Sequence, residues 1–193
     1  MAATGLRLCV PLDKNNGAHF DVGDPHVQAV VLSWLLAGKI WYVHLATPCT
    51  QWSRARTTGN SLVGSAAIDF TVAVLNAVAE KRLLFTLENP RGSGLFEEPR
   101  VQLCLQRLAC KRVLYDNCAF GANYKKSSEL RTNVESLDCL HRLCPQEHAW
   151  SSHNNSCVLI DCMMFVLAFG SEWTGMQEAR IVASGRDGEA DGV

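Results

Sequence analysis

Residues 39–46, KIWYVHLA, decide how the rest of the chain is arranged. Ile40, Trp41, Tyr42, Val43 and Leu45 make this run apolar at nearly every position, over a length that suits one strand. Such a strand is expected at the centre of a parallel sheet with both faces covered. Outward from it, the pattern alternates. Residues 23–39, GDPHVQAVVLSWLLAGK, read as a helix, with Asp24 as its cap, Pro25 in its first turn and Gly38 at its stop. Val27, Val30, Val31, Trp34 and Leu35 then share one helical face. Residues 61–82, SLVGSAAIDFTVAVLNAVAEKR, form a second helix with basic residues in the last turn.

LRLCVPLD (6–13), LLFTLEN (83–89), KRVLYDNCAFG (111–121) and SELRTNV (128–134) read as further strands, and EEPRVQLCLQRLA (97–109) as a third helix. Strands alternating with helices imply an α/β fold built on a mostly parallel sheet with flanking helices. Residues 1–138 are expected to form that domain. Residues 139–183 hold a Cys/His-rich loop and an apolar element, CVLIDCMMFVLAFG, and residues 184–193 a polar, disordered tail.

The bulk numbers narrow the classes. Among 193 residues, 48% are hydrophobic and 19% charged, a globular composition rather than a disordered one. A net charge of −1 excludes a nucleic-acid binder working through bulk charge, so any phosphate contact must come from local patches. Nine cysteines, an odd number without small-scaffold spacing, and a start without signal-peptide character favour an intracellular protein with free thiols. The apolar run at 157–170 carries Asp161 and is shorter than the ~20 residues that span a bilayer.

In α/β sheets, ligands bind beyond the C-terminal ends of the strands. Asp13, Cys49, Glu88 and the turn CAFGANYKK fall at four such ends. A single strand-end acid is usually a cap, and a single Cys in such a chain is usually core; their joint placement suggests a site.

The blocks TPCTQWSRAR (47–56), LENPRGSGLF (87–96) and YDNCAFGANYKKSSELRTN (115–133) resemble, in order and spacing, DNA (cytosine-5) methyltransferases. They are most similar to a divergent branch from phages and mobile elements. The resemblance runs from about Asp13 to about His148. It implies a Rossmann-like, class I methyltransferase-type fold, and the first strand here matches the family's second. Only five residues, with one glycine, precede Leu6, so the resemblance implies a chain truncated before the family's first strand and its Gly-rich cofactor loop.

The family's chemistry accounts for the residue types. Cytosine C5 is a poor nucleophile until a thiolate adds to C6, and Cys49 matches that nucleophile. Glu88 matches the acid that assists at N3. S-adenosylmethionine supplies the methyl group, and the resemblance gives Asp13, Asp21 and Pro48 to its binding. The DNA cytosine is reached by flipping it from the duplex or taking it from a single strand. Ser53, Arg54, Arg56, Asn89, Lys125, Lys126 and Arg131 are the implied substrate-binding residues, and Arg54 or Arg56 would also favour the ionised sulfur.

Other readings stay open. One is a catalytically inactive remnant of a mobile-element methyltransferase that binds nucleic acid. Another, ranked lower, is a hydrolase pairing Cys49 with His44 or His148. Cys139, Cys144 and His148, with His141 and His153 nearby, offer either a zinc site or a metal-free loop.

Overall fold

The computed structural model describes residues 11–49, 66–122 and 126–144 in full, and residues 7–8, 62–65 and 164–169 as backbone only. The strands are β1 (Arg7–Leu8), β2 (Ile40–Ala46), β3 (Leu84–Pro90), β4 (Lys111–Asp116), β5 (Ser127–Thr132) and β6 (Met164–Phe169). The helices are α1 (Pro25–Leu36), α2 (Leu62–Lys81) and α3 (Pro99–Arg107). The chain is therefore α/β, as its alternation of patterns predicts.

Local chemistry explains the ends. The Asp24 side chain accepts from His26 N at 2.8 Å and Pro25 opens α1. At its far end Gly38 takes φ +67°, Gly38 N donates to Leu35 O, and Lys39 N donates to Trp34 O. This pair of bonds satisfies carbonyls that the last turn would otherwise leave without partners. The ends of α2 and α3 are turned by Arg82 (φ +54°) and Ala109 (φ +46°), neither of which has glycine's freedom.

The strand order is β1-β6-β2-β3-β5-β4. Among these strands only β2 and β3 pair in parallel; β1 with β6, β6 with β2, β3 with β5 and β5 with β4 are all antiparallel. The expectation of a mostly parallel sheet is thus corrected. β1, β2, β3 and β4 do run the same way, but β5 and β6 run against them and are interleaved. The reason lies in the connections. A parallel crossover needs about a dozen residues or more, which α2 supplies between β2 and β3. The short stretch 117–126 allows only an antiparallel return from β4 to β5, and β5 takes the place beside β3.

β6 comes from the segment set apart as 139–183 and lies in the sheet between β1 and β2, where it supplies backbone partners to one edge of β2. The tail expected at 184–193 lies outside the described residues.

All three described helices cover one face. Val27, Val31 and Leu35 of α1, Val74, Leu75 and Val78 of α2, and Val101 and Leu105 of α3 pack with Val43, Leu45, Phe85 and Leu87 into one buried cluster. Each such side chain contributes about 1.5–3 kcal/mol by leaving water. The sheet's other face carries Tyr42, His44, Thr86, Glu88, Leu130 and Tyr115, and it meets the short 3-10 turns Asn117–Phe120 and Glu135–Leu140 instead of an α-helix among the described residues. Mixed sheets tolerate this one-sided cover in a way that parallel ones rarely do. No described helix is long and apolar enough to cross a membrane.

Candidate functional site

The parallel register of β2 and β3 brings the two predicted reacting residues to one end of adjacent strands. Ala46 is paired with Glu88, and Cys49 follows three positions beyond Ala46 as a half-buried thiol. Half-buried Pro48 and fully buried Thr47 connect them.

Asn89 fixes this junction. Its Nδ2 donates to Thr47 O at 2.7 Å and to Glu88 O at 3.0 Å, and its side chain is completely buried. Thr47 Oγ1 is in turn 2.9 Å from Thr71 Oγ1 of α2. The backbone leading to Cys49 is therefore tied both to β3 and to the helical layer. Asn89, expected to contact substrate, thus spends its amide nitrogen on these two carbonyls, while its Oδ1 is buried without a hydrogen-bond partner among the described residues.

Glu88 lies on the sheet face away from α1, α2 and α3. Its side chain is 14% exposed, and Lys126 Nζ lies 3.6 Å from Oε1. That is an ion-pair distance but too long for a hydrogen bond, and Oε1 is buried without a hydrogen-bond partner among the described residues. A buried acceptor left without a donor costs about 1–3 kcal/mol, which a donor on a ligand would recover. Lys126 thus meets the predicted catalytic carboxylate directly.

Arg131 does not. Leu130 is the residue of β5 paired with Glu88, so Arg131 falls on the opposite face. There it bonds Glu129, with Nε 2.8 Å and Nη2 2.7 Å from Oε1, and its guanidinium lies 5.2 Å from the Phe96 ring centre. Arg112 Nη2 holds the other oxygen of Glu129 at 2.6 Å. Arg131, expected to bind substrate, is thus held on the face away from Glu88 by a buried acid. Ser53, Arg54, Arg56, Lys125 and His148 lie outside the described residues.

Asp13 and Asp21 follow β1, as expected of acids beyond a strand. Asp13 Oδ1 accepts from Asn15 N and Asp21 Oδ1 from Gly23 N, each at 2.8 Å. Both therefore cap turns. A carboxylate can accept several hydrogen bonds, so the donor requirements of a nucleoside's hydroxyls and amino group remain compatible with these two acids. For the zinc expectation, Cys139 is exposed and Cys144 half-buried, and no group of three possible metal ligands occurs among the described residues.

Sequence reasoning missed a polar cluster beside Glu88. Thr86 Oγ1 lies 2.7 Å from Tyr42 Oη and 2.6 Å from His44 Nδ1. The three side chains line a cavity of about 490 Å³, together with Tyr115, Asn117 and Phe120. That volume suits a small organic molecule or a base. Burial holds the His44 imidazole below its ordinary pKa, against the opposing pull of Glu88, so the ring is neutral at neutral pH. Burial first, and the charge of Glu88 second, hold the Tyr115 phenol above its ordinary value. The signal was present in the sequence: Tyr42 and His44 share one parity of β2, as Thr86 and Glu88 share one parity of β3.

The bond to Thr86 also bears on the Cys–His hydrolase reading. His44 lies inside β2 and turns one ring nitrogen to a hydroxyl, which leaves the geometry of a nucleophile–base pair unsupported. No known protein-family model, characterised protein or solved structure matches this chain.

Proposed function

We propose that the chain is a cytosine-5 DNA methyltransferase-like protein of Rossmann-like, class I methyltransferase type, with Cys49 as nucleophile and Glu88 as the acid at the pyrimidine. The observation that carries this reading is Glu88 itself. It stands at the end of the strand beside the one leading to Cys49, with a buried carboxylate oxygen that has no hydrogen-bond donor among the described residues. A cytosine edge offers such a donor in its amino group, and a carboxylic acid can share a proton with N3.

In this reading the Cys49 thiolate forms a bond to C6, and the electron pair displaced into the ring is stabilised as Glu88 protonates or hydrogen-bonds N3. Asn89 holds the Thr47 carbonyl and so sets where the thiol can reach. Lys126 keeps Glu88 from drifting toward solvent. S-adenosylmethionine would supply the methyl group for C5, with Asp13 and Asp21 as the acids for its ribose hydroxyls and adenine amino group and Pro48 beside it. The DNA base would enter flipped from the duplex or from a single strand.

The test separates the addition step from cofactor binding. Addition at C6 makes C5 nucleophilic, so its hydrogen exchanges with water. DNA carrying tritium at cytosine C5 should release label with the wild-type protein and none with Cys49→Ala, while Glu88→Gln slows release by about 10²-fold or more. Release that persists in Cys49→Ala at the wild-type rate rejects the assignment.

A further inference from the structure

Two cysteines outside the proposed site sit on separate segments fastened to one buried acid. β4 ends at Asp116, which is 3% exposed, and the turn Asn117–Phe120 that follows carries Cys118. The segment 141–144 runs beside the outer strand β4. Tyr115 bridges Arg142, and Asp116 N donates to Arg142 O at 2.9 Å. Cys144 N donates to Asp116 Oδ2 at 2.8 Å, while Ser127 Oγ donates to Oδ1 at 2.5 Å. Arg142 also lies over the Phe120 ring, 5.4 Å from its centre. Cys144 is thus held by its own amide, and Cys118 by the turn two residues after the same acid. These anchors place the two thiols near enough to influence each other, and both are half-buried.

We propose that Cys118 and Cys144 are a redox-active dithiol that closes to a disulfide with a small-molecule disulfide of the glutathione class. This inference is independent of the chemistry assigned to Cys49. One protein thiolate attacks a sulfur of the small disulfide, forming a mixed disulfide and expelling one small thiolate. The second protein thiolate attacks the protein sulfur of that mixed disulfide and expels the other. The protein loses two S–H bonds and gains one S–S bond; the small disulfide is reduced to two thiols, which take up both protons.

The reach of this closure is set by the topology. The new loop spans residues 118–144 and contains β5, Leu137 and Leu140, and its junction lies beside Tyr115 and Phe120. All four of these side chains line the cavity next to Glu88, so oxidation fastens its outer wall. Burial, the neighbouring Cys144 thiol and the Asp116 charge hold the Cys118 thiol above its ordinary pKa. A raised thiol pKa leaves less Cys118 thiolate, so closure that begins at Cys118 speeds up as pH rises.

The test uses the full chain, with a chelator present, equilibrated in graded mixtures of reduced and oxidised glutathione, then alkylated in acid and digested without reduction. The expected result is a Cys118–Cys144 cross-linked peptide, two hydrogens lighter than its parts, as the dominant cysteine product. It should survive in Cys139→Ser and vanish in Cys144→Ser. Absence of that peptide in wild-type protein at the most oxidising mixture overturns the proposal, and so does preferential joining of Cys144 to Cys139. Because the decisive reading is on wild-type protein, a variant that fails to fold does not obscure it.

Discussion

Asn89 Nδ2 donates to the backbone carbonyl of Thr47 at 2.7 Å, joining the ends of β3 and β2 two residues before Cys49. Both residues are buried, so neither partner can turn to water instead. The backbone leading to the thiol is thus held by the Asn89 side chain.

Asn89→Leu keeps the volume and removes the donor. The Thr47 carbonyl is then left buried without it, at a cost of about 1–3 kcal/mol in unfolding free energy. Guanidinium denaturation measures that loss, and alkylation of Cys49 should speed up as the junction loosens. An unchanged denaturation midpoint would show that the bond carries no weight.

His44 makes stability depend on pH in one direction. Its pKa is lowered in the fold by burial, so below the ordinary value of about 6.5 the unfolded chain binds the proton more readily. This contribution is whole above that value and is lost as pH falls toward the folded pKa. The slope is at most about 1.4 kcal/mol per pH unit for one proton. Thermal melts between about pH 7.5 and pH 5 should show wild-type stability falling, with a shallower fall in His44→Gln. Parallel curves for the two proteins would assign the dependence to other groups.

The two helix ends at Gly38 and Ala109 give a reciprocal pair. Both have positive φ, +67° and +46°, but only one has the residue that accepts it without strain. Ala109→Gly should raise stability by about 1 kcal/mol, and Gly38→Ala should lower it by about 1–2 kcal/mol. Among the described residues, no atom beyond its chain neighbours lies within 4 Å of a Cβ built on Gly38, so the cost is backbone strain. Denaturant midpoints moving in the same direction for both variants would contradict this account.

What could be read from the sequence was what is local. Asp24, Pro25 and Gly38 mark α1 because caps and stops act within one turn, and the apolar runs at 40–46 and 84–87 mark the two central strands. Partner choice between strands is not local. Nothing in SELRT states that β5 will turn back between β3 and β4, and nothing in MFVLAF states that β6 will pair with β2. The same limit decided the site. Glu88 and Cys49 were legible as strand-end residues, whereas the placement of Arg131 depended on a parity that only the pairing of Leu130 with Glu88 fixes. The burial of Asn89 against Thr47 is likewise a tertiary fact.

The central claim is that Cys49 forms a bond to a cytosine held by Glu88, and covalent trapping tests it most directly. With 5-fluorocytosine at the target position, the C5 substituent cannot leave after methylation, and the thioether to C6 persists. Incubation with such DNA and S-adenosylmethionine, followed by digestion and mass mapping, should find the nucleotide attached to Cys49 and no adduct in Cys49→Ala. An adduct on another cysteine, or none in wild-type protein saturated with the methyl donor, would contradict the account.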